Sequence, residues 1–220
     1  MSAIDKLQKY GPTEDRVLAD GTLVQVFASH IFPAEYLLEE NWAEVTNCGH
    51  FRTVRFISKL KDGTPVRMFA KSAERVFTAE SKLLDKGRFW WGGSRSGEKR
   101  VFIPNHSLVE ERTVWEAAYL LELNWLGISA EQPQALVTRA NGDKELIVAG
   151  VGGKHLANSL TGDIKLMTSL TEAGFLPDDL QALVDGDKRH IIDVNRWEWA
   201  PFTNGSRENL LKLIRNRASQ

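Results

Sequence analysis

The sequence predicts an α+β protein whose sheet lies in the first two thirds of the chain. Three observations carry this prediction: alternating apolar residues across 42–71, a helical apolar stripe across 110–126, and a second pair of alternating segments across 134–149. The chain from about 151 onward is expected to be mostly helical, with one small hairpin. This segregation of strands from helices is typical of the α+β class.

The composition is that of an ordinary folded chain. Of 220 residues, 28 are basic and 29 are acidic, and 42% are hydrophobic, which is too apolar for a disordered protein. The near-neutral charge gives no reason to expect a nucleic-acid partner. The single Cys48 excludes an internal disulfide framework and a multi-cysteine metal site. Because no stretch reaches the length of a membrane span and the N-terminus has no apolar signal core, we expect a cytoplasmic protein.

The sheet is expected to contain five antiparallel strands joined by short connections. Asp62-Gly63 and Asn141-Gly142 each lie between alternating apolar segments, and such dipeptides supply the positive φ angles of a two-residue hairpin turn. A further short strand is expected at 22–28. The five strands of the sheet, in chain order, are expected at 42–46, 53–60, 65–71, 134–139 and 145–149.

The clearest helix is expected at 110–126. Acidic residues occupy its first turn, where the helix dipole favours them, and Gly127 provides a stop signal. Shorter helices are expected at 33–40, 81–91, 163–173 and 208–217, and a small hairpin is expected with strands at 181–184 and 189–194.

Residues 47–54 (NCGHFRTV) form the turn between the first two strands of the sheet. A sharply bent turn can direct several backbone N–H groups to one point, which suits a phosphate. A plain hairpin loop fits the same residues, since one glycine is a weak signal. Lys71 ends the third strand, where a lysine is usually solvated unless it meets a partner.

Glu116 lies on a helical stripe with Tyr119, Leu120 and Leu123. A carboxylate on an apolar stripe is costly unless it meets a cation or hydrogen-bond donors. The alternative is a glutamate at the edge of the stripe that reaches water.

Asp193 follows two isoleucines and is therefore expected where a buried strand ends. Together with Asp178 or Asp179 it offers the carboxylate oxygens that Mg²⁺ prefers, supplemented by phosphates and water. The alternative is that the two neighbouring aspartates cap a turn and that Asp193 pairs with Arg196.

The order of these features along the chain resembles the protein-kinase-like phosphotransferase superfamily. The similarity is greatest to the small bacterial branch that includes lipopolysaccharide core kinases and aminoglycoside phosphotransferases, and it covers about residues 42–199. The resemblance implies ATP and Mg²⁺ as ligands. It also implies two lobes: a five-stranded N-lobe with one main helix over 1–150, and a reduced, mostly helical C-lobe over 151–220.

In that family a glycine-rich loop between the first two strands covers the ATP phosphates. The resemblance places Asn47, Gly49 and Arg52 at the three glycine positions of this loop, with Phe51 and Val54 in their usual places. It also implies that Lys71 grips the α- and β-phosphates.

The remaining roles are likewise implied by the resemblance. Glu116 matches the helix glutamate that holds the lysine, and Gly150 belongs to the hinge that contacts adenine. Asp179 matches the catalytic aspartate that orients the acceptor hydroxyl. Asp193 would hold Mg²⁺, with Asn195 as a candidate companion ligand.

The chain departs from the family pattern at four points. The phosphate loop keeps one glycine of three, Gly49, so the backbone approaches ATP less easily. Phe69 stands two residues before Lys71, where a small residue often roofs the adenine pocket. In the catalytic loop Pro177 replaces the usual histidine, and no asparagine follows Asp179 at the spacing of the second metal ligand. The fourth departure is that only 27 residues follow Asp193, too few for a full activation segment.

Three hypotheses stay open on the sequence. The first is ATP-dependent phosphotransfer, with a small-molecule or glycan hydroxyl as acceptor because only 27 residues follow Asp193. The second is a pseudokinase that binds a protein partner without catalysis. It is favoured by the lost loop glycines, by Pro177 and the missing asparagine, and by the tryptophans Trp90, Trp91, Trp197 and Trp199. The third is an unrelated α+β binding domain.

Overall fold

The structure is a computed structural model in which most, but not all, of the chain is described. The helices expected at 81–91 and 208–217 lie outside the described residues, as do Trp90, Trp91 and Trp197. The described residues are 3–12, 14–27, 32, 34–44, 54–60, 62–72, 109–157, 164–176, 181–194 and 198–199.

The chain divides into two compact units, each formed by separate stretches of sequence. One comprises Pro12–Val114 and Gln134–Ile147, and we call it the sheet unit. The other comprises Met1–Gly11, Trp115–Pro133 and Val148–Gln220, and we call it the helix unit. The lobe boundary expected at residue 150 stays a prediction.

A seven-stranded sheet dominates the sheet unit, with strand order β1-β2-β6-β7-β5-β4-β3. The pairs β1–β2, β2–β6, β3–β4 and β4–β5 are all antiparallel. Its strands are β1 (Glu14–Val17), β2 (Leu23–Val26), β3 (Ala43–Glu44), β4 (Val54–Lys59), β5 (Pro65–Ser72), β6 (Gln132–Thr138) and β7 (Lys144–Ala149).

The α+β class is thus confirmed, but the count of five strands is wrong. Strand β2 pairs with β6, with Val24 opposite Val137, and β1 continues the sheet beyond it. Both predicted hairpins are present, with Gly63 and Gly142 at φ angles of 87° and 89°. Their turns are longer than the expected two residues, because the closing hydrogen bonds join Leu60 to Thr64 and Arg139 to Asp143. The expected helix at 33–40 consists of two short 3₁₀ turns, Ala34–Leu37 and Glu39–Asn41.

The helix unit contains three helices and two small sheets among its described residues. One sheet has the order β11-β10-β8, and the other pairs β12 with β9. Its elements are α1 (Ala3–Tyr10), α2 (Val109–Trp125, from Trp115 onward), β8 (Lys154–Ala157), α3 (Ile164–Glu172), β9 (Phe175–Leu176), β10 (Gln181–Asp185), β11 (Lys188–Ile192) and β12 (Glu198–Trp199).

The mostly helical character expected after residue 151 is wrong for the described part of that region. It contains one helix, α3, and five strands, because the segment 154–157 pairs with β10 and Phe175 pairs with Trp199. The sequence signals for these strands are weak, since two of them are only two residues long.

Helix α2 is buried on nearly all sides. Ala117, Ala118, Leu120 and Leu123 are all fully buried, so the part of the helix from Thr113 onward, whose side chains are described, has no wide solvated face. It ends where predicted, at Gly127, whose φ of 74° is the left-handed conformation that terminates helices. No helix within the described ranges combines the length and apolar character needed to cross a membrane.

Candidate functional site

The β4–β5 hairpin brings two predicted site residues together. Val54 and Lys71 are direct partners in the antiparallel register, so their side chains share one face of the sheet. Lys71 is only 7% exposed, and it has an interaction partner. The alternative of a solvated strand end is therefore wrong for this lysine.

Phe69 lies on the same face as Lys71, two residues earlier in β5. It stands opposite Phe56 in β4, and the two ring centroids are 5.0 Å apart. The position where a small residue was expected to roof a nucleotide base thus holds one member of an aromatic pair. This aromatic pair stabilises the hairpin by packing, and its rings occupy the sheet face beside Lys71.

Glu116 is completely buried in α2, together with Tyr119, Leu120 and Leu123 of its stripe. The alternative of a glutamate reaching water is therefore wrong. A buried carboxylate needs hydrogen bonds or an opposite charge, and Glu116 has an interaction partner.

Asp193 lies at the end of β11, as the sequence indicated. Its φ is 55°, a left-handed conformation, and among the described residues it alone adopts a positive φ without being glycine. Its backbone N–H donates to Oε2 of Glu131 at 3.3 Å, and Glu131 is itself 5% exposed. Residues held in sparsely populated backbone conformations cluster at functional sites, which makes Asp193 a strong candidate.

The chain leading to Asp179 is anchored on α2. Phe175 is fully buried, and its ring meets that of Tyr119 edge-on at 5.5 Å. Asp179 itself lies outside the described residues, four positions after this anchor. The structure therefore fixes where the candidate catalytic segment begins but leaves its aspartate as a prediction.

In the kinase-like pattern that the sequence resembles, a metal-binding asparagine stands five positions after the catalytic aspartate. Five positions after Asp179 this chain has Val184. Val184 belongs to β10 and is paired with Lys154 on one side and Arg189 on the other. A valine inside a three-stranded sheet offers no ligand to a metal. The missing asparagine noted in the sequence thus corresponds to a regular position within strand β10.

Four other predicted site residues lie outside the described part of the chain: Asn47, Gly49, Phe51 and Asn195. Gly150 is described and directly follows β7, where it is half-buried. In the described part of the chain, no three His, Cys, Asp or Glu side chains are grouped as a metal site.

Sequence reasoning missed Glu131, because nothing in its local pattern marks it. It is tied to the end of β11 through the backbone: its N–H donates to the Ile191 carbonyl, and the Ile191 N–H donates to the Ser129 carbonyl, both at 2.9 Å. This pairing is parallel and joins residues about sixty positions apart. Only the tertiary structure reveals it.

The sequence also missed an ion network on the sheet unit. Arg55 contacts Glu145 at 2.6 Å, and Arg139 contacts the same carboxylate at 3.0 Å. The guanidinium of Arg55 also lies 5.6 Å from the centroid of the Trp42 ring. These half-buried groups tie β4 to β7, and none of them is a predicted site residue.

A groove of about 500 Å³ lies in the helix unit, but it contains none of the predicted site residues. Ser129 lines it and shares a 2.8 Å hydrogen bond with Nδ1 of His190. Lys165 and Arg189 also line it. We give more weight to the residues above than to this groove, because its lining is largely exposed.

Comparison with known proteins adds no family assignment. No protein-family model matches the chain, and no curated protein matches it either.

Proposed function

We propose that the chain is a kinase-like protein that binds ATP with Mg²⁺, using Lys71 for the phosphates and Asp193 for the metal. The observation that carries this proposal is the buried lysine paired across the hairpin with Val54. A cation at a buried position beside apolar side chains interacts more strongly with phosphate oxygens than a solvated one does.

The chemistry of the donor set fits Mg²⁺ in this role. Mg²⁺ is commonly held by one or two carboxylates together with substrate phosphates and water, so a single aspartate such as Asp193 suffices when ATP supplies the rest. When bound, the ion would neutralise phosphate charge. The carboxylate that holds the ion would be that of Asp193, whose backbone is left-handed and whose amide N–H already donates a hydrogen bond to Glu131.

Of the two kinase-like alternatives, binding without efficient turnover is the better supported. The position of the second metal ligand is occupied by Val184 within β10. Phosphoryl transfer depends mainly on positioning and charge neutralisation, so a site with one metal ligand is expected to be slow. A pseudokinase of this kind would act in the cytoplasm through a protein partner.

The second candidate is phosphotransfer to a small-molecule or glycan hydroxyl. Here Asp179 would orient the acceptor, and Asn195 would supplement Asp193 at the metal. The anchoring of Phe175 on Tyr119 favours this candidate, because it holds the start of the segment that carries Asp179.

Thermal melting with Mg-ATP tests the proposal. Binding to the folded state at a hundred times the Kd stabilises it by about 2.7 kcal/mol, which raises the Tm of a chain of this size by about 5–10 °C. We expect Lys71→Met and Asp193→Asn to abolish the rise. The matched control is Lys59→Met, an exposed lysine on the same hairpin, which should keep it.

Turnover separates the two candidates. A Tm rise without ATP hydrolysis or transfer supports the pseudokinase, whereas a rise with transfer that Asp179→Asn abolishes supports the enzyme. Absence of any rise at millimolar Mg-ATP would refute both and favour the unrelated α+β binding domain.

A further inference from the structure

The unusual backbone of Asp193 is held by an acceptor from a distant part of the chain. Left-handed φ angles are unfavourable for residues with a Cβ, so surrounding contacts must maintain this one. The Glu131 carboxyl group accepts the Asp193 N–H through Oε2 at 3.3 Å, at the long end of the hydrogen-bond range.

Glu131 is well suited to this task because its own position is fixed. Its N–H donates to the carbonyl of Ile191, two residues before Asp193. Its carbonyl accepts from Nδ2 of Asn124 at 2.9 Å, and the same amide nitrogen donates to the Leu120 carbonyl at 2.8 Å. The carboxylate therefore extends from a backbone segment bound to both α2 and β11.

Burial makes the arrangement rigid. Glu131 is 5% exposed, Ala130 is 3% exposed and Ile191 is 1% exposed. Separating Asp193 from Glu131 would give up a hydrogen bond at a site that is largely closed to water, which opposes movement of the Asp193 amide. The φ angle of Asp193 in turn sets the direction in which its side chain leaves the strand.

We propose that Glu131 is a positioning residue for Asp193, holding its backbone so that the Asp193 carboxylate is preorganised for Mg²⁺. The proposal rests on the proposed function, because the metal is the one that accompanies ATP there. Partners that orient a metal ligand typically change metal affinity 10- to 100-fold when they are replaced. Glu131 acts through Asp193 and need not touch the ion.

The test compares Glu131→Met, which removes the acceptor, with Glu131→Gln, which keeps an acceptor oxygen. The readout is the Mg²⁺ concentration that gives half of the ATP-induced rise in Tm. We expect Glu131→Met to raise this concentration about 10-fold or more, and Glu131→Gln to raise it about threefold or less. The affinity for ATP without Mg²⁺ should stay unchanged in both.

Ile191→Val is the control for stability alone, because it weakens the packing of β11 and leaves the carboxylate in place. If Glu131→Met shifts the Mg²⁺ requirement no more than this control does, Glu131 is merely structural and the inference fails while the proposed function stands. If the wild-type protein shows no Mg-ATP shift, the proposed function fails together with the positioning role.

A second variant and a second measurement guard against a Glu131→Met protein that does not fold. Asn124→Ala frees the Glu131 carbonyl, and we expect it to raise the Mg²⁺ requirement in the same direction by a smaller factor. In the wild-type protein without ligand, the Asp193 amide should exchange its hydrogen slowly. An Asp193 amide that exchanges as fast as an exposed one would overturn the inference.

Discussion

The β4–β5 and β10–β11 hairpins differ in how they hold a charged residue at the end of a strand. Each presents a charged residue, Lys71 at the end of β5 and Asp193 just after β11. The lysine lies in regular strand geometry and is held by burial and by its partner Val54 in the register. The aspartate lies beyond the strand in a left-handed conformation and is held by a hydrogen bond to its amide.

Under the proposed function, the difference suits two different chemistries. A lysine that binds phosphate gains from an environment of low dielectric, which a sheet face supplies. A carboxylate that binds a metal must point in a defined direction, which a fixed backbone dihedral supplies. The first arrangement depends on packing and the second on backbone geometry, so they should respond differently to substitution.

The largest difference in the cost of a substitution is expected between Gly153, next to strand β10, and Gly63, in the β4–β5 turn. A Cβ at Gly153 would lie 2.7 Å from the backbone oxygen of Val184 in β10, at a φ of 131°. We expect Gly153→Ala to lower the free energy of unfolding by about 4 kcal/mol, from backbone strain and overpacking together. Urea denaturation measures the change.

Gly63→Ala is the matched control in the other hairpin. Gly63 also has a positive φ, but a Cβ there would meet no atom within 4 Å. We expect a cost of about 1–2 kcal/mol from the left-handed backbone alone. Equal costs at the two glycines would contradict the close approach of Gly153 to β10.

Replacing Lys71 should destabilise the β4–β5 hairpin. We expect Lys71→Ala to cost about 3 kcal/mol, because it removes the packing of a buried side chain together with the interaction that this side chain makes. Lys59→Ala, at an exposed position of β4, should change stability by about 0.5 kcal/mol or less. Comparable effects in chemical denaturation would show that Lys71 is solvated.

Alanine and glycine variants at Lys71 and at Asp193 test the comparison further, because the difference in stability between the two variants should have opposite signs at the two positions. Asp193→Gly should be more stable than Asp193→Ala by about 1 kcal/mol, since glycine tolerates the left-handed φ. At Lys71 the order should reverse, with glycine less stable than alanine by about 0.5–1 kcal/mol. The same order at both positions, measured by urea denaturation, would refute the distinction.

The smallest effect is expected at the β4–β5 turn and depends on pH. The Thr64 N–H donates to Asp62 Oδ1 at 2.8 Å, and this hydrogen bond holds the pKa of Asp62 below its ordinary value. Because the pKa of Asp62 is lower in the folded protein, its carboxylate stabilises the fold at pH values above its ordinary pKa. This stability is lost as the pH falls through the folded-state pKa. Asp62→Asn keeps an acceptor oxygen but does not titrate.

The loss of urea resistance between pH 6 and pH 3 should therefore be slightly smaller in Asp62→Asn than in the wild-type protein. An identical pH dependence in the two proteins would show that this hydrogen bond does not form in solution.

The sequence predicted the elements whose signals are local. Helix α2 begins and ends within one residue of expectation, and the strands β4, β5, β7 and β11 match closely. Periodicity and turn residues suffice for these elements because they depend on neighbouring residues.

Elements stabilised from a distance escaped prediction. Helix α1 has eight residues, too few for an isolated helix, and it is anchored by buried Leu7 and by the hydrogen bond from Tyr10 to Glu122. Strand β1 was missed for a different reason: it is largely charged and lacks apolar alternation, although it pairs with the neighbouring β2. Strand β8 depends on its pairing with β10.

By itself, the sequence determined the α+β class, the two glycine turns, and the placement of Lys71, Glu116 and Asp193 on a strand, a helix and a strand end. The tertiary structure alone decided that the lysine and the glutamate are buried, that the sheet has seven strands, and that Glu131 holds Asp193. The physical reason is that periodicity is set by adjacent residues, whereas burial and long-range hydrogen bonds depend on partners far along the chain.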